Sequence, residues 1–219
     1  MRLLVVNPNT SASVTRAIAR AAVAAAAPGD VVDTVGAPFG PALIVTEEDG
    51  AVAAGAVVAC VEARRAGYDG IVIASFGDTG IDAVRARVPV PVVGIARAAF
   101  LAALAVGERF SIVTFSPAVA PSLRAVVARY GLSDRLSGLH APRDAIRGPH
   151  AAIDEDLVAP LADLCVRAQD DGCAAIVLGG GPLAGLAPAL APRVSVPVID
   201  GVVAAVALQR ALITPRPPR

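Results

Sequence analysis

Apolar residues along this chain fall into short β-branched runs, separated by longer Ala-rich stretches in which apolar positions recur every three or four residues. The runs at 3–6, 31–35, 71–74, 90–95, 110–115, 175–178 and 196–199 are bounded by Gly, Pro, Asn or Asp. Continuous apolar runs of that length predict strands buried on both faces, the pattern of a parallel sheet. The stretches at 13–26, 47–66, 117–130 and 154–169 predict helices, with shorter ones after Gly80 and near Leu183. The expected class is α/β, with helices covering both faces of the sheet.

The pattern repeats. Gly67-Tyr68-Asp69-Gly70 leads into an apolar run, a small-residue turn at Ser75-Phe76-Gly77, a short helix and a second run ending at Gly94. About 105 residues later, Gly172-Cys173-Ala174 leads into the same sequence of features, with Gly179-Gly180-Gly181 as the turn and Asp200-Gly201 at the end. The first strand and its helix have a counterpart at 110–116 and the helix that follows. Two pseudosymmetric lobes are therefore expected, each a small open parallel sheet flanked by helices. The first spans 1–96 and the second 97–201, with a C-terminal helix at 202–212 returning to the first lobe and a disordered tail at 213–219. Ligands of open α/β sheets sit beyond the carboxyl ends of the strands, so the expected site lies in the crevice between the lobes.

Composition narrows the chemistry. The 219 residues carry 19 basic and 19 acidic side chains, and every basic one is Arg. Without Lys there is no Schiff-base chemistry and no P-loop lysine. Zero Trp, two Tyr and a formal charge of zero give no footprint for nucleic acid. Two His and three scattered Cys argue against a dedicated metal site and against a disulfide framework. No apolar run reaches the roughly 18 residues of a membrane span, and the N-terminus has no signal-peptide core, so a cytoplasmic protein is expected. The expected partner is a small molecule bearing carbonyl or carboxylate groups, with no cofactor, no nucleic acid and no membrane.

Five ordered motifs then carry a resemblance: Asn-Pro-Asn-Thr-Ser at 7–11, Ala-Ser-Phe-Gly-Asp-Thr-Gly at 74–80, Pro-Val-Val-Gly-Ile at 91–95, Ile-Val-Leu-Gly at 176–179 and Pro-Val-Ile-Asp-Gly at 197–201. Together they resemble the Asp/Glu/hydantoin racemase superfamily, nearest to its hydantoin and allantoin racemase branch. The resemblance implies a metal- and cofactor-independent enzyme, commonly a homo-oligomer, in which a cysteine from each lobe flanks the substrate's α-carbon. It sets Ser75 and Gly180 at the positions of those two thiols, and Arg97 at the position of an acidic residue. A serine hydroxyl is a far weaker acid than a thiol and glycine has no side chain. The expectation that follows is a changed reaction: hydrolytic or desulfurising attack on a ring C=S or C=O of a hydantoin-like ring, in the manner of a thiohydantoin desulfhydrase. The alternatives are racemisation of hydantoin, allantoin or Asp/Glu by non-cysteine bases, and a noncatalytic binding protein.

Candidate roles follow from position. Glu47 is the candidate general base and Ser75 the second catalytic residue, although Thr46-Glu47-Glu48-Asp49 also reads as a capped helix start. Asn9 and Thr10 stand at the first strand-to-helix turn, to bind substrate oxygens or to form an Asx turn. Phe76, Gly77, Asp78, Gly180 and Gly181 belong to loops expected to offer backbone N–H donors. Thr114 and Ser116 occupy the matching turn of the second lobe. His140 and His150 fall in a Pro- and Arg-rich loop, and Arg97 and Arg147 are candidate carboxylate binders.

Overall fold

The computed structural model describes residues 1–64, 66–144 and 158–213. The first lobe is a parallel sheet of β1 (Arg2–Asn7), β2 (Val31–Gly36), β3 (Gly70–Ile73) and β4 (Val92–Gly94), in the order β2-β1-β3-β4. The second repeats it with β5 (Phe110–Val113), β6 (Leu136–His140), β7 (Ala175–Leu178) and β8 (Val198–Ile199), in the order β6-β5-β7-β8. Both sheets are wholly parallel, and the central strands pair in register, Leu3 beside Gly70 and Phe110 beside Ala175. The helices are α1 (Ala12–Ala24), α2 (Glu47–Glu62), α3 (Ile81–Arg85), α4 (Ile95–Val106), α5 (Ala120–Arg129), α6 (Val158–Asp170), α7 (Ala187–Leu190) and α8 (Gly201–Leu212). Among the described residues, no helix is long and apolar enough to cross a membrane.

Strand periodicity sorts the core. Along β1, Leu3 and Val5 face one apolar cluster while Leu4 and Val6 face another, the second filled by Ile71 and Ile73 of β3 and by Val57 and Val61 of α2. The first cluster is continuous across the two lobes, because the chain crosses between them as a helix. α4 contains a single polar residue, Arg97, and buries Phe100 at the junction. The Phe100 ring meets Phe76 edge-on at 5.6 Å, Phe110 at 5.1 Å and Tyr130 at 5.9 Å, one ring from the first lobe and two from the second. Aromatic pairs at these separations are favourable beyond their buried area.

The boundary expected at 96/97 falls inside the first turn of α4. α8 packs against α4, α1, β3 and β4. It is docked there by the buried Gln209 amide, which donates to the carbonyls of Ile71 at 2.6 Å and Pro91 at 3.1 Å. Asp200 starts that helix, accepting from the N–H groups of Val202 and Val203.

Three elements differ from the expectation, the first being α4 itself, a helix at Ile95–Val106 where only the boundary between the lobes was expected. β6 forms where a loop was expected, because the half-buried edge strand Leu-Ser-Gly-Leu-His alternates weakly and holds a Gly. Its register is pinned from outside, with His140 Nε2 2.6 Å from Asp171 Oδ2. The stretch at 117–130 begins as a 3-10 turn at Pro117–Val119 before α5, since two prolines at 117 and 121 withhold backbone donors from its start. The expected helix start at 154, His150, Arg147 and the tail beyond 213 lie outside the described residues.

If Phe100 joins the lobes into one core, Phe100→Ala will cost about 3–5 kcal/mol of unfolding free energy. Denaturant titration followed by tyrosine fluorescence and circular dichroism should give one shifted transition. A loss under about 1 kcal/mol would show that the lobes do not depend on this ring.

Candidate functional site

The carboxyl ends of β1, β3 and β7 converge on a cleft of about 650 Å³ between the lobes. Its first-lobe wall is the turn after β3, Ser75 to Gly80, together with Pro8 and Asn9 and the segment running from Leu43 into α2. Its second-lobe wall is the turn after β7, Gly179 to Pro182, together with Phe115 and the inner face of α5. The segment before α2 bridges the two walls, since Ser122 Oγ of α5 donates to the Val45 carbonyl at 3.2 Å.

Asn9 is the most directed polar group. It is buried, and its Oδ1 accepts from Ser11 N at 2.9 Å and from Asn7 Nδ2 at 2.9 Å, so the Asx turn forms. The Ser11 N–H fixes which side-chain atom is oxygen, which leaves Nδ2 as a donor on the cleft wall with no protein acceptor among the described residues. On the opposite side of the turn after β3, Ser75 Oγ and Thr79 Oγ1 lie 2.8 Å apart, and Gly77 N donates to Ser75 Oγ at 3.3 Å.

The expected backbone donors divide. Asp78 N donates to the Ser75 carbonyl, Gly179 N to Val113, and Gly180 N to Leu178 at 3.2 Å. With Gly77 N on Ser75 Oγ, these four are occupied within the protein. The N–H groups of Ser75, Phe76 and Gly181 have no protein acceptor among the described residues. Phe76 itself is buried against Phe100, so its backbone rather than its ring serves the cleft.

Three expected contacts are corrected. Thr10 is exposed and does not line the cleft, its N–H tied to the Pro41 carbonyl. The buried Thr114 hydroxyl donates to the Gly179 carbonyl at 2.7 Å, cross-linking the ends of β5 and β7 below the cleft. Ser116 caps the 3-10 turn, accepting from Ala118 N. In both second-lobe residues a hydroxyl near a strand end satisfies the backbone before it can reach a ligand.

Gly180 has φ +147°, and a Cβ built on it would meet Phe115 Cε1 at 2.6 Å. The second-lobe wall is thus bare backbone here, and any side chain would have to displace a buried ring. Glu47 is the first residue of α2, exposed at the cleft wall, behind a full capping box in which Thr46 Oγ1 accepts from Asp49 N and Asp49 accepts from Thr46 N. The capped helix start and the cleft position coexist, because the box uses Thr46 and Asp49 and leaves Glu47 outward. Those N–H donors hold the Asp49 carboxyl below its ordinary pKa. Cys60, Cys165 and Cys173 are buried and none lines the cleft. Burial pushes the Cys60 thiol up and Cys165 to about 11.

Asp78 was expected to offer its backbone N–H, which the Ser75 carbonyl takes; its carboxyl is buried and links the two lobes. Oδ1 accepts from Ala96 N at 3.1 Å and Oδ2 from Arg97 N at 3.3 Å, capping α4 from a different loop, and Oδ2 also accepts from the Tyr130 hydroxyl at the end of α5. In the second lobe Asp200 caps its own helix. At the matching position the first lobe has Gly94, where a Cβ would lie 2.0 Å from Asp78 Oδ1. Burial raises the Asp78 pKa against the pull of these donors, and burial with Asp78 pushes Tyr130 up to about 12. Tyr130, Arg129, Thr79, Leu43 and Ile44 are cleft residues that sequence reasoning missed. The visible signals were slight: one of only two tyrosines, set beside an Arg, and an apolar Leu-Ile-Val run in a segment with no helix or strand of its own.

The comparisons with known proteins coincide with this geometry. The Asp/Glu/Hydantoin racemase family model matches residues 3–209. This chain belongs to that family. It is 37% identical to a hydantoin racemase of Paenarthrobacter aurescens, over 97% of this chain and 91% of the relative. Among solved structures it is similar to an allantoin racemase from Klebsiella pneumoniae, with 41% identity and a TM-score of 0.89 over 97% of this chain and 87% of that one. It also resembles an allantoin racemase from Pseudomonas fluorescens, at 32% identity and a TM-score of 0.87 over 100% and 99% of the two chains. The racemase family's near-full-length relatives overturn the expectation of a hydrolytic or desulfurising reaction. That expectation gave two positions, Ser75 and Gly180, more weight than the rest of the chain.

A raised carboxyl pKa in the fold means that the unfolded chain loses its proton first, so the stability linked to Asp78 declines as pH rises above the ordinary carboxylate value. An Asn at 78 cannot titrate. Denaturant unfolding of parent and Asp78→Asn between pH 4 and 7 should therefore show the parent's advantage shrinking with rising pH. An advantage that grows with pH would mean that the hydrogen bonds, not burial, set this carboxyl.

Proposed function

We propose that this family member racemises a hydantoin-like five-membered ring at the carbon between its amide nitrogen and its carbonyl, allantoin and 5-substituted hydantoins being the substrate class. The observation carrying the reading is the near-full-length similarity to hydantoin and allantoin racemases, joined to an inter-lobe cleft with unpartnered donors on its wall. Such a ring carries carbonyl oxygens that accept hydrogen bonds, and its α-hydrogen is acidified because the electron pair left behind spreads onto the adjacent oxygen.

Each residue then has a task. Asn9 Nδ2 and the N–H groups of Ser75 and Phe76 donate to the carbonyl oxygen, where negative charge grows as the C–H bond breaks. The Glu47 carboxylate takes that proton, forming its own O–H bond while the electron pair moves to the enolate oxygen. Ser75, hydrogen-bonded to Thr79, returns a proton to the other face of the planar carbon. Solvent restores the Ser75 proton and takes the one held by Glu47. The bare wall at Gly180 gives the ring room to lie flat.

One specific observation favours a second reading. No cysteine lines the cleft, which suits a crevice that binds the ring without turning it over.

A single enantiomer of 5-substituted hydantoin or allantoin incubated in heavy water separates the two. The racemase loses optical rotation and incorporates one deuterium at the ring carbon, and Glu47→Gln slows both by roughly 100-fold or more. Saturable binding without exchange establishes the second reading. Full activity in Glu47→Gln and Ser75→Ala removes both residues from the mechanism.

A further inference from the structure

Three arginines line the cleft, and only one has a carboxylate partner. Arg85 pairs with Asp82 at 3.2 Å and also donates to the Val92 carbonyl. Arg97 and Arg129 have no carboxylate within ion-pair distance among the described residues. Both guanidinium groups lie over the ring of Tyr130, Arg97 at 5.7 Å from its centroid and Arg129 at 5.3 Å.

Both residues are exposed at the cleft, where an anion can reach them. Arg97 occupies the first turn of α4, where the helix dipole is positive and acidic side chains are favoured, yet this turn holds no acidic residue. The nearby carboxyl, Asp78, is buried and already accepts from two backbone N–H groups and the Tyr130 hydroxyl. Arg129 is held by a donation to the Gly77 carbonyl at 2.7 Å and lies within electrostatic reach of the buried Asp78 carboxyl without forming an ion pair with it. Two cations and a helix N-terminus therefore meet beside Tyr130 at one corner of a cleft whose wall also offers the unpartnered Asn9 amide.

We propose that this corner is an anion subsite, and that the substrate is a hydantoin-like ring whose substituent ends in a carboxylate. The inference rests on the racemase reading for the ring and adds the charge of its arm. The arm's carboxylate takes paired N–H donations from the planar Arg97 guanidinium over the Tyr130 ring, with Arg129 adding the second charge. The ring is left at Asn9 and the turn after β3, where its carbon is to react.

The test uses rings that cannot racemise, so that binding is read apart from turnover. Calorimetry compares 5-methyl-5-(2-carboxyethyl)hydantoin with its carboxamide analogue, on the parent protein and on Arg97→Met. The carboxylate should bind the parent roughly 10- to 100-fold more tightly than the amide. That advantage should be lost in Arg97→Met and reduced by added salt, with carboxylate binding falling far more than amide binding. Equal affinity of the two rings for the parent, or an advantage that survives in Arg97→Met, overturns the subsite. Deuterium exchange on 5-(2-carboxyethyl)hydantoin then tests the reading beneath it. Carboxylate-selective binding without exchange keeps the anion corner and overturns the racemase, whereas exchange on neutral hydantoins with no carboxylate preference does the reverse. Failure of both rings to bind overturns both.

Discussion

The buried carboxyl of Asp78 takes three donors from two lobes, and most of the site depends on that arrangement. Two donors are N–H groups at the start of α4, the helix by which the chain passes from one lobe to the other; the third is the hydroxyl of Tyr130, at the end of a second-lobe helix. One side chain thereby sets the start of the crossing helix and fixes it to the lobe opposite its own. Just behind it the Phe100 ring packs on Phe76, Phe110 and Tyr130, so the polar link and the apolar junction share a partner in Tyr130. These contacts join the two walls of the cleft. Gly94 is required by the same arrangement, because a side chain there would occupy the space filled by the carboxyl.

The two lobes solve one problem in two ways. Each must begin a helix after its last strand, and an uncapped helix start leaves backbone donors unsatisfied. The second lobe uses Asp200 in the local way, from the position directly before the helix. The first lobe has glycine at that position and brings the carboxylate from 16 residues earlier, from the turn after β3 (Asp78 to Gly94). The exchange places an acid at the cleft while occupying its oxygens, so the carboxyl of Asp78, which was not singled out in the sequence, acts as a structural link. Thr114 and Ser116 follow the same logic: short hydroxyl side chains next to strand ends satisfy nearby backbone groups first.

How much was legible in the chain varies with the range of the interaction. The runs at 3–6, 71–74 and 175–178 and the repeat between lobes gave the strands and the location of the crevice, since burial on both faces of a parallel strand leaves a local signature. β6 left none, because Leu136 to His140 is an edge strand whose place is secured by β5 and by Asp171, distant in sequence. Asn9 was legible as a turn residue, and its free Nδ2 became evident only once Ser11 had claimed its oxygen. Arg97 was legible as a candidate carboxylate binder, whereas Tyr130 and Arg129 read as ordinary helix residues; the meeting of both arginines over one ring requires α4 and the end of α5 to come together. The function read from Ser75 and Gly180 failed for a related reason, since two local substitutions were allowed to outweigh a family pattern that extends over nearly the whole chain.

The central claim is that the strand-end turns of both lobes enclose a hydantoin-like ring, held at its carbonyl by Asn9 and the N–H groups after β3. A crystal structure of the protein with a 5,5-disubstituted hydantoin measures this directly. The account predicts the ring in the inter-lobe cleft, with one carbonyl oxygen within hydrogen-bond distance of Asn9 Nδ2 and a ring face against Gly180. A ring bound outside the cleft, or inside it with Asn9 Nδ2 left unbonded, would contradict it.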